Sequence, residues 1–148
     1  MKLFIGLLSL VLFFTACNKD KFTTKPQVEI KSLSPGDVYK GQEFEFVATV
    51  RDKEGDLQDS VLLVRKRFNG TSLLTADTTR FSIATFSFPD KQQIDISARF
   101  AYGELIDGTI FQNLESVDRN FAVGIIVRDK AGNRSDYVES GTIVLHKL

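Results

Sequence analysis

The sequence predicts an all-β fold, an antiparallel β-sandwich of seven to eight strands closed over a Phe-rich core. Three observations carry this. First, a strand-and-turn pattern occurs twice: Val50-Arg51-Asp52-Lys53-Glu54-Gly55-Asp56 is echoed by Val127-Arg128-Asp129-Lys130-Ala131-Gly132-Asn133. Each copy follows an alternating apolar run, Phe44, Phe46, Ala48, Val50 in one and Phe121, Val123, Ile125, Val127 in the other. Alternation with period two puts those side chains on one face of a strand. Second, turn signals recur at roughly the 8–12-residue spacing of a sandwich. Third, no run of ten or more residues shows helical apolar spacing.

In chain order, Gln27 to Leu33 reads as a strand with Val28 and Ile30 inward, ended by the Ser34-Pro35-Gly36-Asp37 turn. Glu43 to Asp52 is the first core strand. Asp52 to Asp56 is a tight turn in which glycine supplies a positive φ. Ser60 to Phe68 opens apolar on both faces, as expected of a strand in the middle of a sheet. Asn69-Gly70 is a strong hairpin signal. Thr71 to Thr75 reads as the return strand and Ala76 to Thr79 as a polar connection. Arg80 to Phe88 reads as a further strand with a bulge near Ala84-Thr85. Gln93 to Tyr102 alternates cleanly through Ile94, Ile96, Ala98 and Phe100. Gly103 to Asn113 reads as a loop or short hairpin that carries a binding surface, and Leu114 to Asp118 as one helical turn. Arg119 to Arg128 is the second core strand, and Val138 to Leu145 the last.

Composition narrows the function. Lys and Arg number 19, as do Asp and Glu, so no basic field exists for nucleic acid. One His and one Cys exclude most metal sites and nucleophilic triads, and no disulfide can form within the chain. No nucleophile elbow, phosphate loop or zinc motif is present, so no enzyme is expected. A carboxylate-dependent hydrolase is the low-weight alternative.

Met1-Lys2, an apolar run from Leu3 to Phe14, and then Thr15-Ala16-Cys17 form a short positive start, a greasy stretch and small residues at its end. This segment resembles a bacterial lipoprotein signal peptide, with Phe14-Thr15-Ala16-Cys17 in the place of the lipobox. The resemblance implies cleavage before Cys17, acylation of Cys17 and anchoring to a membrane. It divides the chain into a signal peptide at 1–16, a lipidated N-terminus and linker at 17–26, and the β-domain at 27–148. The Asn18-Lys19-Asp20-Lys21 stretch resembles the surface-export tether of Bacteroidetes lipoproteins. The implied place is the cell envelope, at the outer membrane, on its periplasmic face or the cell surface.

With one core strand early and its echo second from last, the domain resembles the immunoglobulin-like sandwiches of bacterial surface proteins, such as the polycystic-kidney-disease and cadherin-like modules. Their common Trp is missing, and Phe68 or Val64 is expected in its place. In such a sandwich the two acidic turns project from the same end. Asp52, Glu54 and Asp56, with Asp129, Asn133 and Asp136, then offer the hard oxygen ligands that Ca²⁺ requires. Two solvated polar turns are the plainer alternative, and Lys53 and Lys130 within the turns oppose a dication. Arg65-Lys66-Arg67 is either an anionic-glycan site or a solvated strand face. The expected role is that of a non-catalytic binding or accessory module with a glycan or envelope-protein partner. The runner-up is a structural module stabilised by Ca²⁺.

Overall fold

Alternating apolar residues gain most when two strands from different sheets turn their apolar faces to each other. The computed structural model, which describes residues 24–57, 60–82 and 92–148, has this arrangement. Ten strands are present among those residues: β1 (Gln27–Ser34), β2 (Asp37–Val38), β3 (Glu43–Arg51), β4 (Ser60–Asn69), β5 (Ser72–Ser82), β6 (Gln93–Tyr102), β7 (Ile110–Gln112), β8 (Arg119–Arg128), β9 (Val138–Glu139) and β10 (Ile143–Leu145). One sheet has the order β1-β3-β6-β7. The other has the order β2-β10-β8-β4-β5, with β9 also paired to β8. The chain crosses between sheets after β1, and β3 and β8 face each other as central strands. This is the strand order of an immunoglobulin-like sandwich.

The core follows the predicted parity. Phe46, Ala48, Val50, Phe121, Val123, Ile125 and Val127 are all fully buried. Phe44 and Phe100 are register partners in one sheet and stack at 4.9 Å between ring centroids. Phe121 reaches them from the other sheet, edge-on to Phe44 at 5.3 Å and to Phe100 at 6.1 Å. Such ring pairs add about 0.5–1.5 kcal/mol each beyond their buried area. This trio fills the middle of the sandwich. Val64 and Phe68, expected in the place of a Trp, are only half-buried.

Several expected elements differ. The described residues form ten strands rather than seven or eight because four are only two or three residues long. The sheets are mixed, since β7 lies parallel to β6 and β2 parallel to β10. The loop after β6 therefore returns in the same direction instead of making a hairpin. The last strand is broken in two because serine side chains enter the ladder of β8. Val127 N–H donates to Ser135 Oγ at 2.9 Å and Val123 N–H to Ser140 Oγ at 3.1 Å. Residues 76–79 are not a connection: β5 pairs with β4 along its whole length, from Asn69↔Ser72 to Ser60↔Ser82. As an edge strand it accommodates polar residues on its open side. The expected bulge at Ala84-Thr85 lies outside the described residues. No helical turn forms at 114–118. Leu114 instead packs on the core, and Glu115 N–H donates to Tyr102 Oη at 3.0 Å.

Candidate metal centre

The duplicated motif makes a duplicated turn. β3 and β8 lie in opposite sheets, and the turns that follow them meet at one end of the sandwich. Gly55 (φ 73°) and Gly132 (φ 92°) take the left-handed conformation that closes each turn. In each, the leading aspartate folds back onto the backbone. Asp52 Oδ2 accepts from the N–H groups of Gly55 (2.9 Å) and Asp56 (3.3 Å). Asp129 Oδ1 accepts from Asn133 N–H at 2.7 Å. Lys130 N–H donates to the Asp56 carbonyl at 3.1 Å and ties one turn to the other. Both leading aspartates are buried, Asp52 to 2% and Asp129 to 1% exposure.

The turns differ in their fifth residue. In the second turn, Asn133 Nδ2 donates to Asp129 Oδ2 at 2.8 Å, so both oxygens of Asp129 are satisfied. The equivalent residue of the first turn is Asp56, whose carboxyl group has no amide N–H to offer in the way Asn133 does. Asp52 Oδ1 and Asp56 Oδ1 are accordingly both buried without a hydrogen-bond partner among the described residues. Oxygens of Asp52, Asp56 and Asp129 all lie within 4.8 Å of one another. Burial pushes the Asp52 carboxyl above the usual range. The Asp56 and Gly55 N–H groups oppose that shift, and the Asp56 carboxylate adds to it.

An uncompensated buried charge of this kind is strongly destabilising. A cation relieves it. Ca²⁺ binds oxygens at 2.3–2.6 Å, so ligands on opposite sides of the ion lie about 4.6–5.2 Å apart. Three carboxylate oxygens spread over 4.8 Å fit around one such ion. The all-oxygen donor set suits a hard cation rather than zinc or copper.

The remaining candidates fall elsewhere. Asn133 orients Asp129 through its side-chain amide, and Glu54 is exposed outside the cluster. Asp136 is also exposed and pairs with Lys25 at 3.6 Å. Lys53 and Lys130 are both exposed. Cys17, the expected lipidation site, and the whole expected signal peptide lie outside the described residues. The basic run is absorbed into the fold: Arg67 pairs with Glu115 at 2.9 Å, Lys66 with Glu139 at 2.5 Å, and Arg65 donates to the Phe111 carbonyl at 3.2 Å. His146 is held between Asp37 (2.9 Å) and Asp118 (3.2 Å) and stacks on Tyr39 at 4.4 Å. No local pattern announces this cluster, because its residues come from three distant parts of the chain.

No family model and no curated protein matches the chain. Among solved structures, it is similar to the sporulation control protein Spo0M of Bacillus subtilis, with 11% identity and a TM-score of 0.45. That match covers 84% of this chain and 50% of Spo0M, so the chain spans half of that protein's length. It is also similar to a conjugative transposon lipoprotein from Bacteroides eggerthii, with 15% identity, a TM-score of 0.35, and coverage of 80% of this chain and 96% of that one. A CARDB domain from Pyrococcus furiosus, solved in complex with di-metal ions, matches with 12% identity, a TM-score of 0.28, and coverage of 84% and 86%. None of these likenesses assigns an activity.

Proposed function

We propose that this chain is a lipid-anchored protein of the cell envelope whose immunoglobulin-like sandwich is a non-catalytic module, braced at one end by a bound Ca²⁺ ion. The observation that carries the reading is the meeting of Asp52, Asp56 and Asp129, with two buried carboxylate oxygens left unpartnered among the described residues. Asp52 and Asp56 follow a strand of one sheet and Asp129 a strand of the other, so an ion shared among them clasps the two sheets together. A non-catalytic role is supported by the burial of Asp52 and Asp129. The two clefts described in the molecule are lined by none of the three. The anchor rests on the lipobox-like Phe14-Thr15-Ala16-Cys17 of the leader.

The test is thermal unfolding of the full chain in non-ionic detergent, followed by far-UV circular dichroism in EDTA and in Ca²⁺. A saturable rise in melting temperature with Ca²⁺ is expected. A melting temperature indifferent to Ca²⁺ would refute the clasp. The anchor is tested separately, since Cys17→Ser should release the protein from the membrane fraction. A second surface suits a glycan or protein partner: the 103–113 stretch exposes Leu105 (82%) and, in β7, Phe111 (39%). Leu105→Asp should weaken capture of that partner from envelope extracts without changing the melting temperature.

A further inference from the structure

The two acidic turns carry cations as well as carboxylates. Lys53 of the first turn and Lys130 and Arg134 of the second are all exposed. None of these three side chains makes an ion pair or a hydrogen bond among the described residues. Many cations elsewhere are paired: Lys31 and Arg51 with Glu29, Lys66 with Glu139, Arg67 with Glu115 and Arg99 with Glu43. Acid on the turns is largely spoken for. Asp52 and Asp129 are buried behind the three cations and accept hydrogen bonds from turn N–H groups. Asp56 belongs to their cluster, and Asp136 pairs with Lys25. Glu54 is exposed and stands against the three.

The chain enters the sandwich at this same pole. β1 begins at Gln27, the register partner of Arg51, which directly precedes the first turn. Pro26 is buried, and Lys25 reaches Asp136 just beyond the second turn at 3.6 Å, so the chain is held against the pole as far back as Lys25. From Cys17 to Lys25 is a stretch of some eight residues, which spans at most about 30 Å. The opposite pole lies a strand length away, about 30 Å along the nine residues of β3. Lys40, which precedes β3, and Lys147, which follows β10, are exposed there. The 103–113 stretch follows β6 at that far pole, where Ala101 is the partner of Glu43.

We propose that, with the anchor at Cys17 proposed above, the pole carrying the two turns rests on the anionic headgroups of the membrane, with Lys53, Lys130 and Arg134 as its contact residues. Each cation brought to an anionic lipid surface favours contact about fivefold. The Arg134 guanidinium adds a planar fork that matches a phosphate. Contact at this pole orients the sandwich: it turns the 103–113 surface, with Leu105, away from the bilayer and toward partners.

The experiment is lysine footprinting of the full-length protein, taken from the membrane fraction and bound to preformed vesicles in EDTA. One set of vesicles is phosphatidylcholine and the other phosphatidylcholine with phosphatidylglycerol. A membrane-impermeant acetylating reagent is read residue by residue in the mass spectrometer. On the anionic vesicles Lys53 and Lys130 should be labelled at least about fivefold more slowly than on the neutral ones, and about 1 M salt should abolish the difference. Lys40 and Lys147 should label equally on both. Arg134→Gln, in an exposed turn, should return much of the labelling of the two turn lysines while leaving the melting temperature unchanged. Equal labelling of Lys53 and Lys130 on the two kinds of vesicle would overturn the proposal, as would protection shared equally by Lys40 and Lys147. Protection by dextran sulfate on neutral vesicles, with none on anionic ones, would overturn the lipid assignment in favour of an acidic polymer. A protein that floats with neither kind of vesicle overturns the anchor and this contact together, whereas one that floats but labels evenly overturns the contact alone.

Discussion

Asp56→Asn separates a metal clasp from a bland polar turn. The substitution keeps the shape of residue 56 but copies the second turn, where Asn133 Nδ2 satisfies its aspartate at 2.8 Å. In the metal-free wild type, Asp52 Oδ1 and Asp56 Oδ1 are buried and unpartnered among the described residues. Leaving a buried polar atom unsatisfied costs about 1–3 kcal/mol. An amide at position 56 removes one charge and supplies the missing donor to Asp52. The metal-free variant should therefore be more stable by about 1–2 kcal/mol. With an unfolding entropy of about 2.1 cal/mol/K per residue over some 120 residues, each kcal/mol is about 4 °C. The melting temperature in EDTA should thus rise by roughly 4–8 °C. The wild type should instead gain from Ca²⁺. For a dissociation constant near 0.1 mM, typical of weak extracellular sites, about 10 mM Ca²⁺ contributes about 2.7 kcal/mol. That corresponds to roughly 10 °C. The variant, with one ligand charge gone, should lose most of that response. The assay is melting by circular dichroism of both proteins in EDTA and in Ca²⁺, with Asp136→Asn as a control that should change neither value. A variant less stable than wild type in EDTA, with an undiminished Ca²⁺ response, refutes the reasoning.

Three further outcomes follow from named groups. The Asp52 carboxyl is held above its ordinary value, chiefly by burial, so the metal-free folded state takes up a proton more readily than the unfolded chain. Its stability should therefore fall as pH rises from about 3.9, the unfolded value, through the folded one, and the Ca²⁺-induced rise should fade as pH is lowered across that window. Stability in EDTA that climbs across this window would contradict it, measured against Asp52→Asn to remove other carboxylates. His146 is raised by its hydrogen bonds to Asp37 and then to Asp118, against some desolvation. Its stabilisation is complete below about 6.5 and is lost as pH rises through the folded value, so His146→Gln should flatten the melting curve between neutral and alkaline pH. An unchanged pH profile would remove His146 from that role. Phe121→Ala opens a cavity between the two sheets and should cost about 3–5 kcal/mol in denaturant unfolding, whereas Phe81→Ala on the edge strand should cost far less.

The strands were legible because period-two alternation is a local property that steric packing enforces wherever a face is buried. Phe44 to Val50 and Phe121 to Val127 took up their expected faces without exception. The Asp-x-x-Gly turns were legible for the same reason, since glycine alone enters the left-handed region readily. Residues 76–79 misled because an edge strand carries the polar composition of a loop. Val138 to Leu145 misled because nothing in its own residues shows that Ser135 and Ser140 would enter a neighbour's ladder. Proximity in sequence groups Glu54 and Asp136 with the metal candidates, but both are exposed and the clustered oxygens are those of Asp52, Asp56 and Asp129.

The chain on its own determined an all-β sandwich, its two central strands and the repeated acidic turn that follows each of them, because those depend on interactions between residues close in sequence. Only the tertiary structure decided that Asp52 and Asp56 meet Asp129 while Glu54 and Asp136 do not, and that Lys53, Lys130 and Arg134 share the pole at which β1 begins. Both outcomes rest on which strands become neighbours and in what register. Packing between the sheets settles that across long stretches of chain, and the resulting burial turns an ordinary turn aspartate into a carboxylate that needs a partner.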